Sequence, residues 1–153
     1  MAKLDNLPED FEASSHIRTA GRELALRLLY LLDMRGKETA DSQINFVLTS
    51  EQVKHQSQNF ARTLYEGTRD NLAELDAKIA ETAVNWDISR MAYIDKAILR
   101  MGIYELLHCP DIPPKVTISE ALELAKKYST DKSSSFINGI LDAIYQANCP
   151  NKA

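Results

Sequence analysis

"DKSSSFINGILDAIY" (residues 131–145) is the stretch whose reading decides how this chain folds. Asn138-Gly139 is a dipeptide that ordinarily marks a tight turn. It sits, however, among Phe136, Ile137, Ile140, Leu141 and Ile144, whose three- and four-residue steps are helical. The stretch therefore reads as a helix that carries two poorly suited residues side by side. Glycine inside a helix costs about 1 kcal/mol relative to alanine. Two roles could offset that: close packing against a neighbouring helix, or the approach of a partner's backbone or base. In the second role Asn138 hydrogen-bonds, Phe136 stacks and Gly139 leaves a shallow spot between them. Ser135, Asn138, Asp142 and Gln146 fall on the arc opposite Ile140 and Ile144.

Upstream, "CPDIPPK" (109–115) breaks the chain with three prolines. Thr117-Ile118-Ser119-Glu120 then has capping-box spacing, and Ile118, Ala121, Leu122, Ala125 and Tyr128 outline an amphipathic helix. Residues 90–108, with Ser89 as the expected cap, are apolar nearly all round, which predicts a buried central post. Leu72, Leu75, Ile79, Ala83 and Trp86 mark an earlier helix, and Val53, Phe60, Leu64 and Thr68 another. Ile17, Ala20, Leu24, Leu28 and Leu31 predict a first helix that Gly36 ends. Residues 37–50 fit either a short helix or a loop. No segment alternates with period two between turn signals, so the fold class is all-α.

The length of 153 residues suits one domain with its own core. We expect an extension over 1–15, a helical domain over 16–148 and a tail over 149–153. At 44% hydrophobic and 26% charged, the composition is that of a globular chain. No apolar run spans a bilayer and the N-terminus lacks a signal or transit pattern, which makes the cytoplasm the expected location. The formal net charge is −4, yet residues 1–15 set Lys3 against Asp5, Glu9, Asp10 and Glu12. Most of the acidity thus lies in that short stretch, and a basic site elsewhere has to be a local patch.

The chemistry of catalysis is missing from the sequence. Five scattered glycines give no phosphate-cradling loop, and no G-x-S-x-G or H-E-x-x-H motif is present. His16, His55 and His108 have no triad or ligand spacing, and Cys109 and Cys149 give neither a disulfide framework nor a metal set. Glu120 and Glu123 fit a solvated helix face better than acid/base work. Arg18 and Arg22, four apart, share one helical face away from the apolar stripe. They either solvate the helix or open a basic patch, which Lys126, Lys127 and Lys132 would extend if the chain ends meet.

"IPPKVTISEALELAKKYSTDKSSSFINGILDAIY" (112–145) resembles the C-terminal signature of the NusB family of transcription antitermination factors. In that family V-x-I-N-E-A-x-E-L-A-K is followed by a serine-bearing loop and F-V-N-G-V-L. "RELALRLLYLLD" (22–33) resembles its first helix and "NWDISRMAYIDKAILRMGIYEL" (85–106) its central segment. The resemblance implies a compact bundle of about seven helices in two packed sub-bundles. It implies binding of the single-stranded boxA element of ribosomal RNA leader transcripts together with the ribosomal protein NusE. Within the antitermination complex that pair helps RNA polymerase read through terminators; neither catalysis nor a cofactor is implied.

Carried over by position, the resemblance assigns Arg18, Arg22 and Tyr30 of the first helix to RNA. It also assigns Phe136 and Asn138, with Lys132 and Ser135 of the adjoining loop, to the RNA path. Asp95 matches an acidic position associated with the NusE surface. In this reading Asn138-Gly139 forms a flat, hydrogen-bonding shelf for an unstacked strand. The chain departs from the family in several places. "SSHIRTAGRE" (14–23) replaces a run of arginines, which predicts weaker RNA binding with a shallower salt dependence. Ser119 replaces the usual Asn, Lys132 stands where many relatives are acidic, and Ser135 where many are basic. The acidic extension is a candidate competitor for the patch. Two other roles fit the same resemblance: the N-terminal RNA-binding part of an rRNA cytosine methyltransferase, or a homodimeric scaffold with its RNA face covered.

Overall fold

The computed structural model describes residues 9–50, 52–85 and 87–152, with side chains from His16 onward. The first eight residues and Trp86, the latter counted above on a helical stripe, lie outside the described residues. Among the described residues eight α-helices follow one another: α1 (Glu9–Arg35), α2 (Lys37–Ser42), α3 (Ile44–Thr49), α4 (His55–Asp70), α5 (Leu72–Thr82), α6 (Tyr93–His108), α7 (Pro114–Tyr128) and α8 (Asp131–Asn148). A 3-10 turn, Ile88–Arg90, precedes α6. Among the described residues there is no strand, and no helix is long and apolar enough to cross a membrane.

The helices sort into two sub-bundles. α1 packs against α2, α3 and α4, while α6 packs against α5, α7 and α8; α1 and α4 also rest on α6 and join the halves. The predicted post is found: Ala97, Ile98, Leu99, Met101, Ile103 and Leu106 of α6 are all buried. Leu24, Ala25, Leu28 and Leu29 of α1 and Ile137, Ile140, Leu141 and Ile144 of α8 are buried with them. Close approach uses glycine at two helix crossings. Tyr104 of α6 lies over Gly67 of α4, leaving no room for a β-carbon, and Gly21 of α1 faces Phe60 and the Ser57 carbonyl of α4.

Several boundaries differ from the sequence reading, each for a local reason. Gly36 stops α1 with φ +94°. Residues 37–50, which fitted either a short helix or a loop, form two short helices, bringing the described helices to eight, in line with the expected number of about seven. α1 begins at Glu9, inside the stretch read as an extension. Asp87, and not Ser89, caps the turn before α6, accepting from the Ser89 amide at 3.0 Å, and α6 itself starts only at Tyr93. The Thr117–Glu120 capping box does not form. Pro114, with φ preset for a first helical turn, starts α7 four residues before Ile118, the first helical residue the box implies. The Thr117 hydroxyl is turned inward and donates to Glu105 Oε1 at 3.1 Å.

Candidate nucleic-acid interface

α8 presents its polar arc outward. Lys132, Ser135, Asn138 and Gly139 are exposed, whereas Ile137 and Ile140 between them are buried. A β-carbon added at Gly139 would meet nothing within 4 Å. Close helix packing therefore does not explain this glycine. Thr130 fixes the start of α8 by accepting from the Ser133 amide at 3.0 Å.

Asp95, in the first turn of α6, ties that helix to α8. Its two carboxylate oxygens accept from Ser129 Oγ at 2.7 Å and from Ser133 Oγ at 2.8 Å. Beside this tie opens a cleft of about 510 Å3, lined by Phe136, Lys132 and Asp95 together with Asn85, Asp87 and Arg90. The last three come from the connection between α5 and α6. Sequence reading missed them, because nothing local marks a turn residue that becomes a neighbour of α8 only on folding. Two hydrogen bonds from Ser89, one from its hydroxyl and one from its amide, hold the Asp87 carboxyl below the usual carboxylate range.

Tyr30 of α1 approaches the same end of α6. Its ring meets Tyr93 edge-on, with centroids 6.1 Å apart, and Lys96 Nζ lies 5.0 Å from the Tyr93 ring. Tyr30, Tyr128, Arg27 and Ile94 border a second cleft of about 420 Å3 between α1 and the α6–α7 pair. Tyr30 is 37% exposed and Tyr128 44%, so both rings keep surface for a further contact.

The arginines do not belong to this end. Arg22 is 1% exposed, which corrects its assignment to an RNA-contacting surface. Its Nε and Nη2 donate to Glu105 at 2.8 and 2.7 Å, and Nη1 lies 3.7 Å from Glu120. Burial alone would lower the Arg22 pKa; Glu105 and Glu120 outweigh it and hold the guanidinium protonated. The helical wheel put Arg22 off the apolar stripe correctly, but that side of α1 faces α6 and α7. Arg18 is half-buried and pairs with Asp111 of the proline joint at 3.2 Å, at the opposite end of α6 from Asp95. The single continuous groove from Arg18 and Arg22 to Phe136 is therefore not formed. Tyr30, Asp95, Lys132 and Phe136 gather at one end of α6, and Arg18 lies at the other.

Lys126 and Lys127 border a third cleft with His16, Glu23, Glu120 and Glu123. Lys127 is held by Glu23 at 2.7 Å and Lys126 lies 3.7 Å from Glu123, so acids balance the bases there.

Comparison with known proteins gives this arrangement a context. The sequence pattern of the NusB family matches residues 19–146. Transcription antitermination protein NusB of Syntrophus aciditrophicus is 39% identical over 145 residues, covering 95% of this chain and 88% of that one. The protein of that name from Chloroherpeton thalassium is 44% identical over 125 residues, which span 81% of this chain but only 59% of the relative. Among solved structures, T. maritima NusB superposes with a TM-score of 0.78 at 33% identity, covering 84% of this chain and 90% of that one. A chain from a complex of antitermination factors NusB and NusE with double-stranded RNA also gives 0.78, at 28% identity, covering 86% and 98%. With the family pattern running from the first helix through the last, this chain belongs to the NusB family.

Proposed function

We propose that this protein is a transcription antitermination factor that binds boxA-type single-stranded RNA of ribosomal RNA leaders together with NusE. In this role it acts in the antitermination complex that carries RNA polymerase past terminators. The relatives named above are antitermination proteins, and the complex with NusE and RNA contains a chain of the same fold. One observation carries the reading to the surface of this chain. Of the residues matching the family's F-V-N-G segment, Asn138 and Gly139 are exposed beside the half-buried Phe136, Ile137 turns into the core, and the glycine has no packing role. Lys132, Ser135, Phe136 and Asn138 are the RNA-contacting set, with Tyr30 on the adjoining helix. Stacking on an aromatic ring and hydrogen bonds from amides and hydroxyls suit unpaired bases. Asp95, bound internally by Ser129 and Ser133, shapes the surface offered to NusE by holding α6 to α8.

The test is titration of a labelled boxA-type RNA with the protein, alone and with NusE. Phe136→Ala should weaken binding by about 1–3 kcal/mol, the contribution of one stacked base. Wild-type affinity in that variant moves the RNA to another surface, and absence of boxA binding with NusE present refutes the function.

A further inference from the structure

The connection between α5 and α6 contributes one lip of the Phe136 cleft through Arg90, a residue outside the RNA-contacting set above. Arg18, Arg22, Arg62, Arg69 and Arg100 each meet a carboxylate of this chain. The Arg90 guanidinium meets none among the described residues, and it is exposed. Lys132, exposed in the first turn of α8, likewise has no carboxylate partner among the described residues. Two cations without a carboxylate partner among the described residues thus line one cleft.

Neither acid of the cleft pairs with Arg90 or Lys132; both are held by serines. Asp95 takes hydrogen bonds from Ser129 and Ser133 on its two oxygens, and Asp87 Oδ1 takes two from Ser89. Arg90 is also placed by its backbone. Its amide donates to the Asp87 carbonyl at 2.9 Å, closing the 3-10 turn that Asp87 caps. A short, capped turn fixes the Arg90 backbone, so less backbone freedom is lost on binding than from a loose loop. Phe136 lines the same cleft, and the cleft volume of about 510 Å3 falls within the roughly 300–1,000 Å3 usual for small-ligand sites. Arginine's fork suits phosphate oxygens, and lysine supplies a point charge for a second one.

We propose that this cleft seats one unstacked nucleotide of the bound single-stranded RNA, with its base on Phe136 and its flanking phosphates on Arg90 and Lys132. The proposal rests on the RNA-binding reading and adds to it a phosphate contact from the α5–α6 connection. Asn85, on the same wall, can hydrogen-bond a base edge.

The experiment uses the full chain and a boxA-type RNA carrying 2-aminopurine at successive positions, whose fluorescence changes when that base leaves its neighbours and stacks on a ring. One position should respond with the wild type, and Phe136→Leu should remove the response. Arg90→Ala, an exposed change that leaves the thermal melt in place, should weaken binding several-fold. It should also flatten the slope of log K against log salt by about 0.7, the share of one single-strand phosphate. Wild-type affinity and slope in Arg90→Ala, beside a weakened Phe136→Ala, overturn the cleft proposal and leave the RNA reading standing. Loss of NusE binding in Arg90→Ala with an unchanged RNA slope overturns it too, by making the cleft a protein surface. Absence of RNA binding by the wild type, with and without NusE, defeats the RNA reading itself.

Discussion

Arg22 and Glu105 lie 83 residues apart in sequence and meet through two hydrogen bonds, each side chain almost wholly buried. Thr117 adds a third contact to the same carboxylate, and Thr19 donates to the neighbouring Glu120 at 2.7 Å. Removing one member of such a pair leaves the other charged in the core. Arg22→Ala should therefore lower stability by about 3–5 kcal/mol, measured by chemical denaturation. A joint Arg22→Met, Glu105→Leu change removes both charges and should cost far less. Because the guanidinium faces inward, that double variant should keep wild-type RNA affinity. Weakened RNA binding in a double variant of retained stability would return Arg22 to the surface role. This is the residue the sequence misled about most, and the reason is physical. An arginine four positions from another on a helix has the same spacing whether water or a distant glutamate receives it. The placement of Lys132 and Phe136 on their helix was legible because that local pattern, polar against apolar, needs no distant partner.

Among elements, α8 was the most legible and the helix starts were the least. Apolar periodicity located all the long helices, since burial of one stripe is written every three to four residues. Caps depend on which of several polar side chains wins, and a tertiary contact decided one of them while a local one decided another. Thr117 was drawn to Glu105, and Asp87 served where Ser89 was expected. Within α8, Gly139 offers a test in which two measurements move in opposite directions. Its φ is not positive and a β-carbon would enter open space, so Gly139→Ala strains nothing. The change should stabilise the helix by about 1 kcal/mol. For a chain of this size that raises the melting temperature by roughly 2–4 °C. If a strand lies against this face, the added methyl should also weaken RNA binding. A lower melting temperature would mean that α8 is packed there after all, and unchanged RNA affinity would take the shelf out of the binding path. The neighbouring case behaves oppositely: at Gly67 the Tyr104 ring already fills the space a methyl would need.

In the whole molecule, charge is spent mainly on holding helices together. At one end of α6 the Arg22–Glu105 pair joins α1 to it; toward the other, Lys96 and Arg100 reach Asp33 of α1 at 3.0 and 3.2 Å, and Arg100 also grips Asp76 of α5. With α6 packed against both α1 and α8, the first and last helices are joined chiefly through it, an arrangement no single stretch of sequence reveals. The consequence for RNA is quantitative. Arg18, Lys126 and Lys127 are each matched by an acid, while Lys132 and Arg90 meet no carboxylate of the described residues. For a single strand each neutralised phosphate contributes about −0.7 to the slope of log K against log salt, so two contacts give about −1.4. If Arg18 and Lys127 exchange their carboxylates for phosphates, the count reaches four and the slope about −2.8. Titration of the protein alone across a range of salt should fall between those limits. A slope steeper than about −5 would require some seven phosphates, more than the cations on these faces can meet, and would locate the RNA on a basic surface formed elsewhere. A slope near zero would remove phosphate contacts altogether, leaving stacking on Tyr30 and Phe136 as the whole of the interaction.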